Sequence, residues 1–170
     1  MANVPGYTIT NKADADEIIG THLLEPGFRI IGVSQRLFKT DILEAEKIYS
    51  NGDLTLFQYY QGNDVTIACF NLSFPNGFEL CGKLKEKGIN ASLFSVNSPM
   101  PVNWGKIIDD AKNTKNLVVI DDSKSQNLPC YSLLSEALEK CSLQRHILVK
   151  RGPTRELRRP NPDKLEIDYD

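Results

Sequence analysis

The sequence predicts an α/β protein of the three-layer α/β/α kind, with a mostly parallel, five-stranded sheet. The main observation is that short apolar runs alternate with amphipathic segments between residues 64 and 121. This alternation is typical of parallel strands joined by crossover helices. The chain has 170 residues, of which 41% are hydrophobic and 25% are charged, so it can bury a core without a metal or a disulfide.

The net charge and the cysteines indicate which partners and which cellular compartment to expect. The net charge is -2, so no global field draws the chain to nucleic acid or to an anionic membrane, and we expect neither as a partner. The sequence shows no basic-then-apolar leader and no long apolar span. The four cysteines lack C-x-x-C spacing, which indicates reduced thiols. These features together predict a cytoplasmic protein.

Residues 1–37 are predicted to form a strand, a helix and a second strand. Asn11 is the predicted N-cap of a helix over 12–24, and Asp14 follows three positions later, as in a capping box. Pro26 and Gly27 end that helix, and residues 28–33 are predicted to be a buried strand. Because this unit is too small to be a domain, we interpret it as the last part of something larger.

Residues 38–54 are interpreted as a connector that leads into the sheet. A helix capped by Thr40 or Asp41 is predicted to run to Ile48. Residues 55–60 then have the composition of a strand, and the turn after them is too short for a parallel crossover. We therefore expect the 55–60 strand to be antiparallel to the rest of the sheet, unless it and the following strand are not sheet neighbours at all.

The remaining elements complete the same sheet. Pro75 suits the first turn of a helix, and Gly88 suits its C-terminal cap. Two later helices are predicted from apolar stripes within 104–111 and 133–141, and further strands from apolar runs within 65–70, 88–96, 117–121 and 146–149. The tail from residue 150 is predicted to be extended. Its arginines could grip a phosphate or an acidic partner, or could simply be solvated: Arg151, Arg155, Arg158 and Arg159.

The sequence contains no motif of a self-contained active site. It has no glycine-rich phosphate loop, no H-E-x-x-H and no G-x-S-x-G, and only two histidines. Asp121 and Asp122 come directly after an internal strand, at the carboxyl edge where open α/β sheets place ligands. A magnesium or hydroxyl contact is one interpretation of this pair. The other is that the two aspartates end the strand and cap the next segment of the chain.

The central stretch resembles the C-terminal domain of the transketolase superfamily of thiamine-diphosphate enzymes. Its nearest likeness is to the beta subunit of the 2-oxoacid dehydrogenase decarboxylases. Five motifs carry the resemblance over residues 55–166: G-x-D-V-T-I at 62–67, L-x-x-x-G-I at 84–89, x-x-P-x-D-W at 99–104 (with Asn103 for the aspartate), K-x-T-x-x-L-V-V-V-D at 112–121 (with Ile120 for the last valine) and P-x-x-x-x-L-E at 160–166. The usual G-S/A-M after the first parallel strand is replaced by Asn71-Leu72-Ser73, and the usual G-G-x-G-A by residues 127–131.

The resemblance implies that this chain and another polypeptide have different roles in the complete enzyme. Residues 1–37 are similar to the end of a pyrimidine-binding domain, and residues 55–170 to the C-terminal domain with an extended tail. Arg36 corresponds to an arginine that meets a substrate phosphate or carboxylate in many relatives, although a plain structural arginine is an equal interpretation.

The family's activating glutamate and its G-D-G motif have no counterpart in this sequence. The resemblance therefore implies no catalytic residue and no metal ligand in this chain, with thiamine diphosphate and magnesium bound elsewhere in the complete assembly. Partners would be a second copy of the chain or a companion chain that carries the cofactor site. The alternative is a stand-alone protein-interaction module that uses the arginine-rich tail.

Overall fold

The computed structural model describes residues 4–34, 41–98, 102–123 and 127–150. Within these ranges the chain forms eight strands, four α-helices and a short 3-10 helix (Asn71–Ser73). The strands are β1 (Gly6–Ile9), β2 (Ile30–Val33), β3 (Tyr49–Ser50), β4 (Leu56–Tyr60), β5 (Val65–Phe70), β6 (Ala91–Val96), β7 (Asn116–Asp121) and β8 (Arg145–Lys150). The helices are α1 (Lys12–His22), α2 (Phe74–Glu86), α3 (Gly105–Thr114) and α4 (Cys130–Lys140).

The main sheet has six strands in the order β3-β4-β6-β5-β7-β8. Strands β6, β5, β7 and β8 are parallel to one another, whereas β4 is antiparallel to β6 and β3 to β4. The antiparallel orientation predicted for the 55–60 strand is confirmed. β4 and β5 are consecutive in the chain but are not sheet neighbours, because β6 lies between them.

The two faces of the sheet are covered by different helices, which confirms the three-layer α/β/α prediction. Alternate residues along each buried strand point to opposite faces, so Ala68 and Phe70 of β5 pack against α3 and α4. Ile67 and Cys69 of the same strand pack on the other side, where α2, α1 and β1 lie.

The predicted starts and ends of the helices follow the local signals closely. Pro75 lies in the first turn of α2, and Gly88 comes after its end with a φ of 77°, a conformation that only glycine adopts without steric cost. In α1 the Asn11 side chain accepts from the backbone N–H of Ala13 and Asp14, and Asp14 completes the predicted capping box. Helix α1 ends at His22, two residues before the predicted boundary.

Three predictions about secondary structure and burial are wrong. The helix predicted from residue 41 to Ile48 is absent, because Ile42 and Leu43 pack partly against the core from a connector without regular structure. The second strand of the N-terminal unit is exposed, not buried. Leu138, expected on the apolar stripe of the last helix, is 54% exposed. The main sheet has six strands instead of the predicted five, because it includes the short edge strand β3. Two residues are too few to show the pattern of a strand in the sequence.

Candidate docking surface

The arginines named from the sequence lie outside the described residues. Arg36 comes after the first described range, and the tail arginines Arg151, Arg155, Arg158 and Arg159 come after the last one. Their proposed contacts with a substrate or a partner therefore stay predictions. The features that the structure brings together lie instead in the N-terminal unit (β1, α1 and β2) and at its junction with the main sheet.

Asp14 is the centre of a buried polar cluster at this junction. Its carboxylate is inaccessible to solvent and accepts hydrogen bonds from the Thr10 hydroxyl at 2.6 Å, from the Asn97 amide at 2.6 Å, and from the backbone N–H groups of Thr10 and Asn11 at 3.1 Å. Asn97 comes directly after β6, so one carboxylate joins the N-terminal unit to the main sheet. Hydrogen bonds to a charged group are the stronger kind in proteins.

Backbone and side-chain contacts around Asp14 reinforce the same junction. The Asn97 carbonyl accepts from the Thr8 N–H at 2.6 Å, and the Asn97 amide donates to the Thr8 carbonyl at 2.7 Å. The Asn11 amide donates to the Tyr59 hydroxyl of β4 at 2.6 Å, and Tyr59 is itself buried. The inner edge of β1 is thus tied to the domain. Among the described residues β2 pairs with no strand other than β1, and we call its unpaired side the open side of the unit.

The cluster makes the stability of the fold depend on pH in a defined direction. Burial raises the pKa of the Asp14 carboxyl, and the hydrogen bonds from Thr10, Asn11 and Asn97 oppose that rise. An unfolded aspartate ionises near pH ~3.9, so between the two pKa values the native state holds a proton that the unfolded state has released. The contribution of this group is therefore greatest at low pH and is lost as the pH rises through the native pKa.

We therefore expect the wild-type chain to gain stability relative to Asp14→Asn as the pH falls from about 7 toward about 4, by at most about 1.4 kcal/mol per pH unit. Urea unfolding of both proteins across this range measures the difference. If the wild-type chain instead lost stability relative to the variant on acidification, the hydrogen bonds would outweigh the burial, and the assigned direction would be wrong.

The open side of the N-terminal unit exposes apolar side chains. Seven of the thirteen large hydrophobic residues that are exposed in the described ranges lie between residues 4 and 33. Phe28 is 90% exposed, Leu24 88%, Leu23 75% and Ile30 65%. We call residues 23–33 the apolar segment. Exposed hydrophobic groups that lie together mark interaction sites, whereas single ones need no explanation.

The two aspartates at the carboxyl edge of the main sheet hold two strand ends together. Asp121 is fully buried, and its Oδ1 accepts from the Asn71 amide at 3.1 Å and from the Ser123 N–H at 2.9 Å. Asp122 Oδ1 accepts from the Leu72 N–H at 3.1 Å. Within the described residues no three His, Cys, Asp or Glu side chains are grouped to hold a metal. These contacts favour the capping interpretation of the pair.

The cysteines of the domain are poor nucleophiles. All four are unpaired and buried. Burial raises the pKa of Cys81 to about 12, and burial together with the neighbouring Asp121 raises the pKa of Cys130 to about 12. Since the thiolate is the reactive form, neither reacts readily at neutral pH. Cys81 lines a pocket of about 230 Å³ beside Tyr60, Phe78 and Lys85, which therefore lacks an activated thiol.

Comparison with known proteins identifies the fold. No protein-family model and no curated protein sequence matches the chain. Among solved structures, a split-gene transketolase in an inactive β4 tetramer matches with a TM-score of 0.62 at 16% identity, over 87% of this chain and 48% of that one. The fold is transketolase-like. A transketolase from Campylobacter jejuni matches with a TM-score of 0.58 at 9% identity, over 88% of this chain and 22% of that one.

The transketolase-like chain thus spans about half the length of one matched structure and less than a quarter of the other. The two matches include 87% and 88% of this chain. No helix within the described ranges is long and apolar enough to cross a bilayer.

The sequence identified Asp14 of this transketolase-like chain only as a helix cap. Its second role, as the acceptor at the junction, depends on Asn97, which is 83 residues away in sequence. The only local signal is that Thr10, Asn11 and Asp14 are polar residues grouped around a helix start, and that pattern is common on exposed helices. Nothing in the sequence indicated that the apolar segment is exposed, because its residues 28–33 have the composition of a buried strand.

Proposed function

We propose that this chain is the subunit-packing and partner-docking portion of a thiamine-diphosphate-dependent enzyme, of the transketolase or 2-oxoacid dehydrogenase beta-subunit type. It does not turn over substrate by itself. Thiamine diphosphate and magnesium are bound by another polypeptide, either a second subunit or a companion chain. That polypeptide supplies the activating glutamate and the diphosphate-binding motif.

The observation that carries this proposal is the exposed apolar segment beside the open strand β2. The main sheet buries most of its large hydrophobic residues, on both faces, whereas Leu23, Leu24 and Phe28 are at least three-quarters exposed. Burying a side chain of this size contributes about 1.5–3 kcal/mol. Covering the three by a partner would therefore supply several kcal/mol of association energy before the entropic cost of binding.

The matched structures support this difference in roles. The split-gene transketolase is described as an inactive tetramer of β chains, so in that protein the β chain assembles without being active. The present chain spans 48% of that β chain. The two structures described above are both transketolases, which favours the transketolase class, whereas the sequence motifs favour the 2-oxoacid dehydrogenase beta subunit. The four unpaired cysteines support a reducing compartment such as the cytoplasm.

Calorimetric titration of the purified chain with thiamine diphosphate and magnesium tests the proposal. We expect no binding heat above dilution, because the groups that hold the diphosphate and activate the cofactor belong to other polypeptide. A complete transketolase titrated in the same buffer is the positive control. Saturable binding in the micromolar range, or consumption of a ketose phosphate or a 2-oxo acid by the chain alone, would show that it carries a complete cofactor site.

A further inference from the structure

The 230 Å³ pocket lies at the amino end of β6, beside the second half of α2. The pocket belongs to the main sheet and its own helix, because the residues that line it all lie between positions 60 and 91: Tyr60, Gln61, Phe78, Cys81, Gly82, Lys85, Ile89, Asn90 and Ala91. Those from α2 are spaced i, i+3, i+4 and i+7, so a single helix face forms one wall. Asn97, which holds the N-terminal unit, follows the opposite end of β6. A six-residue strand spans about 17 Å.

A β-bulge in β4 turns the Tyr60 ring into this pocket. Leu56 of β4 packs on the face of the sheet that α3 and α4 cover, and strict alternation would place Tyr60 on that face too. The register with β6 instead shifts between Gln58 and Tyr60, so that Tyr60 lies opposite Leu93, on the α2 face. Its ring centroid is 5.6 Å from that of Phe78. Bulges of this kind commonly redirect a side chain at a functional site.

Gly82 leaves the pocket open, although glycine is unfavourable inside a helix. The other glycine of α2, Gly77, is required by packing, because a Cβ atom there would overlap the Cys69 sulfur. At Gly82 a Cβ atom would meet no other atom within 4 Å, and the backbone does not have a positive φ. Neither packing nor conformation therefore requires glycine at this position. A larger residue would place its side chain in the open space beside Tyr60 and Phe78.

Lys85 is the one charged residue among those that line the pocket. Burial raises the pKa of the Cys81 thiol to about 12 and also raises the pKa of the Tyr60 phenol, so both groups are neutral at pH 7. Among the described residues Lys85 has no ion-pair partner, whereas the neighbouring Lys83 pairs with Glu79. The pocket thus combines two aromatic rings with one ammonium group, and an ammonium group binds a carboxylate strongly.

We propose that this pocket binds a small aromatic carboxylate, whose ring lies against Tyr60 and Phe78 and whose carboxylate contacts the Lys85 ammonium. The size of the pocket limits the ligand to one ring with a short substituent. A cavity of about 150 Å³ holds benzene, and sites for drug-sized ligands are about 300–1,000 Å³. This binding site is separate from the docking role proposed above.

NMR titration of the 15N-labelled wild-type chain with benzoate tests the proposal and does not depend on any variant. We expect saturable shifts of the amides at 60–62, 78–85 and 89–91, with a dissociation constant in the millimolar range. Benzylamine, which has the same ring and the opposite charge, should bind at least about 10-fold more weakly, because Lys85 repels it. Acetate, which has the charge but no ring, should give no saturable shifts at these amides.

Three variants test the assigned contacts. Gly82→Leu should be at least as stable as the wild type, since leucine is a good helix former, and should lose benzoate binding about 10-fold or more because its side chain occupies the pocket. Lys85→Met should weaken binding about 3- to 10-fold, whereas the matched Lys83→Met should change it by less than about 2-fold.

Each contrary result removes a defined part of the proposal. The absence of saturable shifts in the millimolar range, shifts that map to other residues, or undiminished binding to Gly82→Leu would overturn the site. Equal affinity for benzylamine and benzoate, or equal effects of the two lysine variants, would overturn the carboxylate as its ligand. None of these results bears on the titration with thiamine diphosphate and magnesium.

Discussion

Replacing Asp14 by alanine is expected to lower the free energy of unfolding by about 3 kcal/mol or more, because each buried donor left without an acceptor costs about 1–3 kcal/mol. Five donors lose the Asp14 acceptor in this variant: the Thr10 hydroxyl, the backbone N–H groups of Thr10 and Asn11, and the side-chain amides of Asn11 and Asn97. The loss should separate the N-terminal unit from the main sheet before the sheet itself unfolds. Urea unfolding, with hydrogen exchange of residues 6–22, measures both effects.

Asp16→Ala is the matched control for Asp14→Ala. Asp16 lies on the same helix, and its side chain is 67% exposed in an ion pair with Lys12. Its loss should change stability by less than about 0.5 kcal/mol. If both variants unfolded at the same urea concentration, the Asp14 cluster could not be what joins the N-terminal unit to the domain.

Replacing Gly62 by alanine is expected to cost about 3 kcal/mol or more. A Cβ atom at this position would lie 2.3 Å from the Asn90 carbonyl oxygen and 2.5 Å from the Ala91 carbonyl carbon. Both contacts are with backbone at the entry to β6, which cannot rotate away as a side chain could. The Gly62 N–H and carbonyl are also held by the Ser92 hydroxyl at 2.9 and 3.1 Å. Thermal unfolding, or soluble yield if the variant does not fold, measures the loss.

Gly82→Ala separates the steric effect at Gly62 from the general effect of removing a glycine. Gly82 lies within α2, and a Cβ there would meet no atom within 4 Å. Alanine should stabilise this helix by about 0.5–1 kcal/mol. A Gly62→Ala protein as stable as the wild type would mean that β5 and β6 are farther apart at their amino ends than the structure places them.

Much of the fold could be predicted because its signals are local. Pro75, Gly88 and the Asn11–Asp14 pair act on the backbone within a few residues of themselves, so their effect is visible in sequence. The apolar runs that became β5, β6 and β7 are buried on both faces, and such strands have continuous hydrophobic sequences. The helix predicted up to Ile48 does not form, although its capping signal was as good as that of α1. Its apolar residues Ile42 and Leu43 pack partly against the core without a helix.

The sequence by itself determined which segments form the parallel strands and their crossover helices, that the helices cover both faces of the sheet, and that no complete active-site motif is present. Only the tertiary structure decided that β6 lies between β4 and β5, that Asp14 accepts a hydrogen bond from Asn97, and that β2 pairs only with β1 among the described residues. The physical reason is the distance along the chain over which each kind of interaction acts. Periodicity and capping act between residues a few positions apart, whereas strand order and exposure depend on what distant parts of the chain, or another chain, place beside each element.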